Sequence, residues 1–566
     1  SITADQFRTF FIDKVARVRA STTSADSLPS GLSDLSARHG LLKFEPTTEN
    51  EVMMLIRRLP NKQCSLDPIP TWLLKEVLDV IVPFLTVLFN SSLTTGIVPD
   101  GFKLAYVTPL LKKTGLDQNE ISSYRPISNL SVVSKLLEKL MLSKVLTHLY
   151  SKNLFSVLKS AYRSYHSTET AVLKVTSDLL HAADKGMFSL LVLLDMTAAF
   201  DTVDHGILLQ RLESSYGFGQ TVINWFRSYL TDRVFLVKHG GLTSAEASLD
   251  CGVPQGSVLG PLLFSLYTGN IGQIFDVHGL QYHLYADDTQ IYGHCSPDQT
   301  AELSIKMSAC VEDVGRWMFE NRLQLNPDKS EVLWCSSKRI LHRTPVDALK
   351  IFDSYIKPTT KLKNLGIYID SDLSMRSQIN SIIRTCFAML RQIRSVSGAL
   401  PAVGRKALVT ALIMPRIDYG NSTLAGLPKK HLSRIQSIIN TAAKIIFNSK
   451  KYDHVTPLLQ ELHWLRLSER IEFKVALLVF KCLHGNCPTY LIRCLQPISA
   501  IQGRQRLRSS STKDLLVPAS RCRTLGDRGF SVIGPKVWNS LPPTLQAAAS
   551  ETEFRSLLKT FFYSKS

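Results

Sequence analysis

The sequence predicts an α+β protein of several domains, and three patterns carry that expectation. From about residue 100 short β-rich runs alternate with longer stretches of helical period, from about 374 helical period dominates, and 566 residues are too many for one core. In chain order, FRTFFIDKVARVRA opens the sequence as an amphipathic helix, and residues 20–40, rich in Ser, Gly and Pro, read as a linker or mobile loop. The turn SLDPIP (65–70) precedes TWLLKEVLDVIVPFLTVLFNSSL, a helical stretch. Its longest apolar run, 77–89, contains Asp79 and Pro83 and is too short to span a bilayer.

Strands are expected at KLAYVTPLL, SLLVLLD, RVFLVKH, QYHLYA, TQIYG, EVLWC and LGIYID, where β-branched and aromatic residues cluster between turn signals. Helices are expected at SVVSKLLEKLMLSKVLTHLY, STETAVLKVTSDLLHAADKG, TVINWFRSYLTD and AELSIKMSACVEDVGRWMFENR, then at SQINSIIRTCFAMLRQIRSV, GRKALVTALIMPRI and HLSRIQSIINTAAKIIF. TAAFDTVDHGILLQRL reads as a helix that Asp195 could cap, and a later helix is expected to be capped by Ser468 and ended by Gly485. The tail, 501–566, mixes Arg/Ser-rich loops with a final helix near EFRSLLKTFF.

Composition narrows the function. Hydrophobic residues at 45% and charged residues at 20% exclude general disorder. No secretory signal opens the chain, and ten scattered cysteines read as reduced thiols. Because the chain starts at Ser1 inside a helical pattern, it is expected to be a piece of a longer polypeptide. The net charge of +19 is uneven: residues 401–566 hold 25 Lys/Arg against 9 Asp/Glu. That end is the candidate for a polyanion, which it would hold through phosphates without sequence choice.

Three carboxylates carry the chemistry. Asp287 and Asp288 stand side by side in LQYHLYADDTQIYG, where a solvated turn is by itself the commoner explanation, although adjacent like charges also make sense around a bound cation. FSLLVLLDMTAAFD is an almost unbroken apolar run ending in Asp195, the pattern of a central strand buried on both faces. Side by side, the two strands would unite Asp195 with Asp287 and Asp288, a set able to hold two magnesium ions for in-line phosphoryl transfer.

Asp195 in LLDMTAAFD, the loop GVPQGSVLGPLLF (252–264) and YADD (285–288), in this order and spacing, resemble motifs A, B and C of reverse transcriptases, and more closely those of non-long-terminal-repeat (LINE-type) retrotransposons. SLDPIP, YRPISNLSVVSKLLEKL, KSAYRSYHSTETAV, LQLNPDKSEVLW and LKNLGIYID extend the resemblance. DYGNSTLAGLPKK, PLLQELHWLRLSERIEFK, FKCLHGNCPTYL and GPKVWNSLP resemble the carboxyl-terminal region of the jockey and chicken-repeat group. Two departures, Ala161–Tyr162 where the family usually has Gly-Phe and Phe102 where it has Trp, leave the carboxylates untouched.

The resemblance implies a right-hand polymerase with an antiparallel palm sheet: a helical amino-terminal extension (1–92), fingers and palm (93–370), a helical thumb (371–450) and a basic carboxyl-terminal domain (451–566). It implies an RNA-directed DNA polymerase that extends a DNA 3′-hydroxyl on an RNA template, by target-primed reverse transcription. Its partners would be template RNA, primer or target DNA and dNTPs, with no membrane. Asp195, Asp287, Asp288 and the backbone carbonyl of Met196 would hold two Mg2+ ions, Mn2+ being the alternative. Phe200 would press against the sugar; Gln255 and Gly256 would line the nucleotide pocket, Gly256 letting backbone approach base or template. Arg125 would meet the triphosphate, with Lys112 or Lys113 as a second cation, and Lys329 would protonate the departing pyrophosphate. Leu365 and Gly366 would grip the primer end.

The endonuclease such elements encode is expected to be absent, since nothing before residue 60 could contain it. Cys482, Cys487 and Cys494 lack the close pairs of a zinc knuckle, and no zinc is expected. The integration chemistry implies a nuclear protein with a cytoplasmic ribonucleoprotein stage. Two rivals share part of the pattern. An RNA-dependent RNA polymerase would usually carry GDD and an Asp at position 200, and an inactive nucleic-acid-binding remnant need not keep all three carboxylates.

Overall fold

A computed structural model describes residues 2–22, 40–62, 64–352, 354–500 and 513–565. Most of the expected linker and the Arg/Ser-rich stretch 501–512 lie outside the described residues.

Two sheets frame the chain between residues 104 and 335. In the first, the strand Leu104–Leu111 pairs antiparallel with Tyr124–Asn129 and parallel with Val234–His239, which two short strands, Leu242–Thr243 and Ala247–Ser248, extend. Tyr124–Asn129 was not expected as a strand. It contains Pro126 and lies at the sheet edge, where a missing N–H costs no ladder bond. The opening helix, Ala4–Ser21, starts with a reciprocal Thr3–Gln6 cap and lays Phe7 and Phe11 on Ala105, Val107, Phe235 and Val237.

The second sheet is antiparallel throughout, in the order Gln281–Tyr285, Asp288–Cys295, Phe188–Thr197, Gln324–Cys335. As expected, its central strand is buried on both faces. Leu190, Val192 and Leu194 enter the largest apolar cluster, while Leu191 packs with Val175, Leu179 and Leu180 of the helix Thr168–Asp184. The period of two sorts them, and each such side chain stabilises the fold by roughly 1.5–3 kcal/mol.

The same large cluster takes in Val52, Ile56, Leu74, Val82, Leu85 and Phe89, so the amino-terminal helices share the core of this sheet. The helix Leu78–Thr95 is longer than its apolar run suggested. By length and composition it could cross a membrane, but here it packs Val82, Leu85, Phe89 and Leu93 inward.

Beyond residue 370 the chain is helical. Arg376–Val396, Ala402–Leu412, Lys429–Phe447, Leu467–Leu483, Phe530–Asn539 and Glu551–Lys565 all contribute to one further cluster, so the expected boundary at 450 falls inside a single apolar unit. Thr168–Asp184 is the platform that joins it to the sheet. Its Val172 and Leu173 enter the cluster, its Glu169 accepts Ser422 Oγ at 2.7 Å and Lys474 Nζ at 3.0 Å, and Asp184 accepts the Cys522 amide at 2.6 Å.

Two expected caps are corrected. The helix after Asp195 begins only at His205, capped by Asp204, which accepts the Ile207 amide at 3.0 Å. The later helix, Leu467–Leu483, has Arg466 at its cap position with Ser468 inside it, and Gly485 follows its end.

Candidate active site

The hairpin of Gln281–Tyr285 and Asp288–Cys295 turns through two residues, because Tyr285 pairs with Asp288 and leaves Ala286 and Asp287 at the tip. Ala286 takes a positive φ of 54°, which a two-residue hairpin demands and which is strained for an alanine. On the other side Thr289 stands opposite Leu194, so the next residues along lie side by side: Asp288, which starts its strand, and Asp195, two residues before the end of its own. A register shift between Leu193 and Asp195 against the strand Gln324–Cys335 adds twist at this point.

The carboxylates feel one another. Loss of solvent, then the charges of Asp287 and Asp195, pushes the Asp288 carboxyl up to about 6, and loss of solvent followed by Asp195 also raises Asp287. Lys329 opposes both shifts, with its Nζ 3.0 Å from Asp195 Oδ2. This ammonium supplies the counter-charge a bound cation would otherwise give. Among the described residues no three acidic, His or Cys side chains close into a ready-made metal cage. The donor set of three mutually repelling carboxylates, one of them held by a displaceable and exposed lysine, suits a hard divalent cation.

Cations face these acids from the first sheet. Arg125 is exposed on the edge strand, donates to the Lys112 carbonyl at 3.2 Å, and offsets part of the rise in the Asp287 pKa. Burial, then the charges of Lys14, Lys329 and Arg125, lowers the Lys112 pKa, and its Nζ donates to the Ser122 carbonyl at 2.7 Å. Lys112 therefore lies within electrostatic reach of Arg125 and Lys329.

The loop Val253–Ser257 joins the two sheets. The Ser128 amide donates to the Gln255 carbonyl at 2.7 Å, and a Cβ on Gly256, whose φ is 120°, would lie 2.4 Å from the Ser128 carbonyl oxygen. The backbone of the first sheet thus requires glycine at this position. The Val253 amide donates to Phe200 at 2.9 Å and the Gly252 amide to Val203 at 2.7 Å, fastening the loop to the segment after Asp195. Phe200 is half-buried and stacks on Phe264 with centroids 4.5 Å apart.

Residues 111–369 match the family model described as reverse transcriptase (RNA-dependent DNA polymerase). This segment belongs to the reverse transcriptase family. The chain is 27% identical over 442 residues to a probable RNA-directed DNA polymerase from transposon BS of Drosophila melanogaster, covering 76% of this chain and 48% of that protein. It is 28% identical over 433 residues to the probable polymerase from transposon X-element of the same organism, covering 74% and 46%. To the RNA-directed DNA polymerase from mobile element jockey of Drosophila funebris it is 26% identical over 407 residues, covering 70% and 43%. The chain spans about half the length of the curated relatives it matches. Reverse transcriptases use divalent metal ions, in keeping with the carboxylate set.

In the reverse transcriptase domain, Leu365 and Gly366 form the tip of a second hairpin, Lys361–Asn364 with Ile367–Asp370, rather than the start of a strand. Both take positive φ, 44° and 87°. The Tyr419 hydroxyl donates to the Leu365 carbonyl at 2.7 Å, and Asn364 Nδ2 donates to Gln290 Oε1 at 2.9 Å, tying this hairpin to the strand that carries Asp288. Met196 lies in the central strand opposite Leu325. Cys482 and Cys487 are buried in the helical cluster.

Three residues that brace the candidate site were not marked by the sequence. Glu138 is buried, and its Oε2 accepts the amides of Val258 at 2.7 Å and Leu259 at 2.9 Å and the Tyr229 hydroxyl at 3.2 Å. It pins the far side of the Gln255 loop; the available signal was an acid on the apolar face of SKLLEKLM. Asp201 accepts Gln255 Nε2 at 2.7 Å, and Tyr419 reaches Leu365 from the helical unit. No local pattern marks either.

Proposed function

We propose that the chain is the RNA-directed DNA polymerase of a jockey-like non-long-terminal-repeat retrotransposon, which extends a DNA 3′-hydroxyl on an RNA template. The observation that carries this reading is the palm register, which sets Asp195 beside Asp287 and Asp288 with Lys329 as their counter-ion. Two Mg2+ ions, or Mn2+, held by these carboxylates and the Met196 carbonyl would activate the primer hydroxyl and stabilise the leaving pyrophosphate.

The other roles follow from position. Arg125 and Lys112 bind the triphosphate from the fingers, and Lys329 gives up Asp195 to hold a proton near the leaving group. Phe200, backed by Phe264, presents its edge to the sugar; Gln255 and Gly256 shape the pocket beside it. The Leu365–Gly366 tip steadies the primer end.

Nucleic acid has a matching surface. Arg376, Arg384, Arg391 and Arg394 are exposed on the helix Arg376–Val396, and at 100° per residue they fall within about 80° of one another. Among the described residues none of the four makes an ion pair. Such a stripe tracks phosphates of a template–primer duplex. Target-primed synthesis places the protein at chromosomal DNA, hence in the nucleus, after a cytoplasmic ribonucleoprotein stage.

Nucleotide choice tests the proposal. On an RNA template with a DNA primer and Mg2+, dNTPs are expected to be incorporated and rNTPs rejected. A preference for rNTPs would make the chain an RNA polymerase, and no extension at all would make it an inactive remnant.

A further inference from the structure

Asp201 is a carboxylate without an obvious structural task. It follows Phe200 in the segment fastened to the Gln255 loop, and it lines a cavity of about 290 Å3 between the opening helix and the fingers sheet, with Lys14, Ser128 and Gln255. Among the described residues it makes no ion pair, while its Oδ1 accepts Gln255 Nε2 at 2.7 Å. Burial raises the Asp201 pKa, while the charge of Lys14 and then the Gln255 hydrogen bond favour the ionised form; withdrawing a carboxylate from water costs free energy even so, and a purely architectural contact would be better served by an apolar or neutral side chain.

The chemistry of the pair suggests what Asp201 gains. The two ends of a glutamine amide are nearly alike in shape and opposite in function: NH2 only donates and Oε1 only accepts. An ionised carboxylate only accepts. It therefore selects the orientation in which the NH2 of Gln255 faces Asp201 and Oε1 is left as an acceptor for a donor group of the nucleotide.

We propose that Asp201 is the positioning residue of the nucleotide pocket, fixing the Gln255 amide so that it presents an acceptor to the incoming dNTP. This rests on the polymerase reading, in which Gln255 lines that pocket. Asp201 itself touches no reacting atom, so its effect belongs on dNTP binding.

A reciprocal exchange tests it without large changes of shape. Gln255→Glu places two carboxylates together and is expected to raise the dNTP KM about tenfold or more, with kcat changed less; Asp201→Asn, whose amide can also face the wrong way, is expected to raise KM about threefold. In the double variant the new amide at position 201 donates to the new carboxylate at position 255, which reverses the bond and again leaves an acceptor toward the nucleotide. Its KM is expected to return to within about threefold of wild type. A double variant as impaired as the product of the two single effects would overturn the assignment, as would losses confined to kcat. A wild type that extends no primer with dNTPs removes the polymerase reading and this assignment together, whereas an active wild type with multiplicative losses removes the assignment alone.

Discussion

Lys159 shows how much a single buried charge can be made to report. It is fully enclosed, donates to the Ser265 carbonyl at 2.8 Å and to Thr268 Oγ1, and feels the charges of Arg211 and Arg163, so burial first and then these cations push its pKa down to about 7. An unfolded lysine titrates near 10.4. Between these values the unfolded chain binds the extra proton, so stability rises as pH increases from about 7 toward 10 and this contribution is lost on the way down. Thermal melts of wild type and Lys159→Met across that range are expected to show the wild-type slope flattened in the variant; parallel curves would contradict it. Glu138 gives a second residue-scale expectation. Glu138→Leu strips the Val258 and Leu259 amides of their acceptor, a loss on the order of 3 kcal/mol in denaturant unfolding. At this scale Asp195 was legible because an acid that interrupts a strand buried on both faces stands out. Asp201 was not, because its partner lies 54 residues away and the contact depends on how two loops meet.

Hairpins and caps set the accuracy at the scale of elements. The seven expected strands form, since β-branched runs bounded by turns encode them locally, but the helix expected directly after Asp195 does not. Ala198 turns to a φ of 52°, and the segment 200–203 bonds to Gly252 and Val253 instead of to itself. That competition between local helix and distant loop is decided by tertiary contacts. The YADD turn carries a related cost at Ala286. Ala286→Gly is expected to raise unfolding stability by up to about 1 kcal/mol, by removing a Cβ from the left-handed region while leaving both Asp287 and Asp288 in place. A loss of stability there would contradict the turn geometry. Tyr419→Phe, which releases the Leu365 carbonyl, is expected to shorten extension products several-fold without altering the dNTP KM.

Over the whole molecule, the expected division into palm, thumb and basic end rested on the family resemblance, and neither it nor charge and periodicity reveals which helices share a core. Ile435, Ile439 and Ile446 before residue 450 pack in one cluster with Ile471, Val475, Phe480 and Trp538 after it, each side chain contributing roughly 1.5–3 kcal/mol. A chain ending at residue 450 is therefore expected to lose cooperative melting of its helical half, and a truncated protein that melts like the full chain would show that the two parts fold apart. The carboxyl-terminal helical unit is accordingly fastened to the second sheet through Thr168–Asp184, whose Glu169 and Asp184 accept Ser422, Lys474 and Cys522. Whether the three carboxylates catalyse is measured most directly by RNA-templated primer extension with Mg2+, comparing wild type with Asp288→Asn. Wild type is expected to make DNA and the variant to lose about 4 kcal/mol of transition-state stabilisation, on the order of 10^3-fold in rate; equal extension by the two proteins would contradict the site.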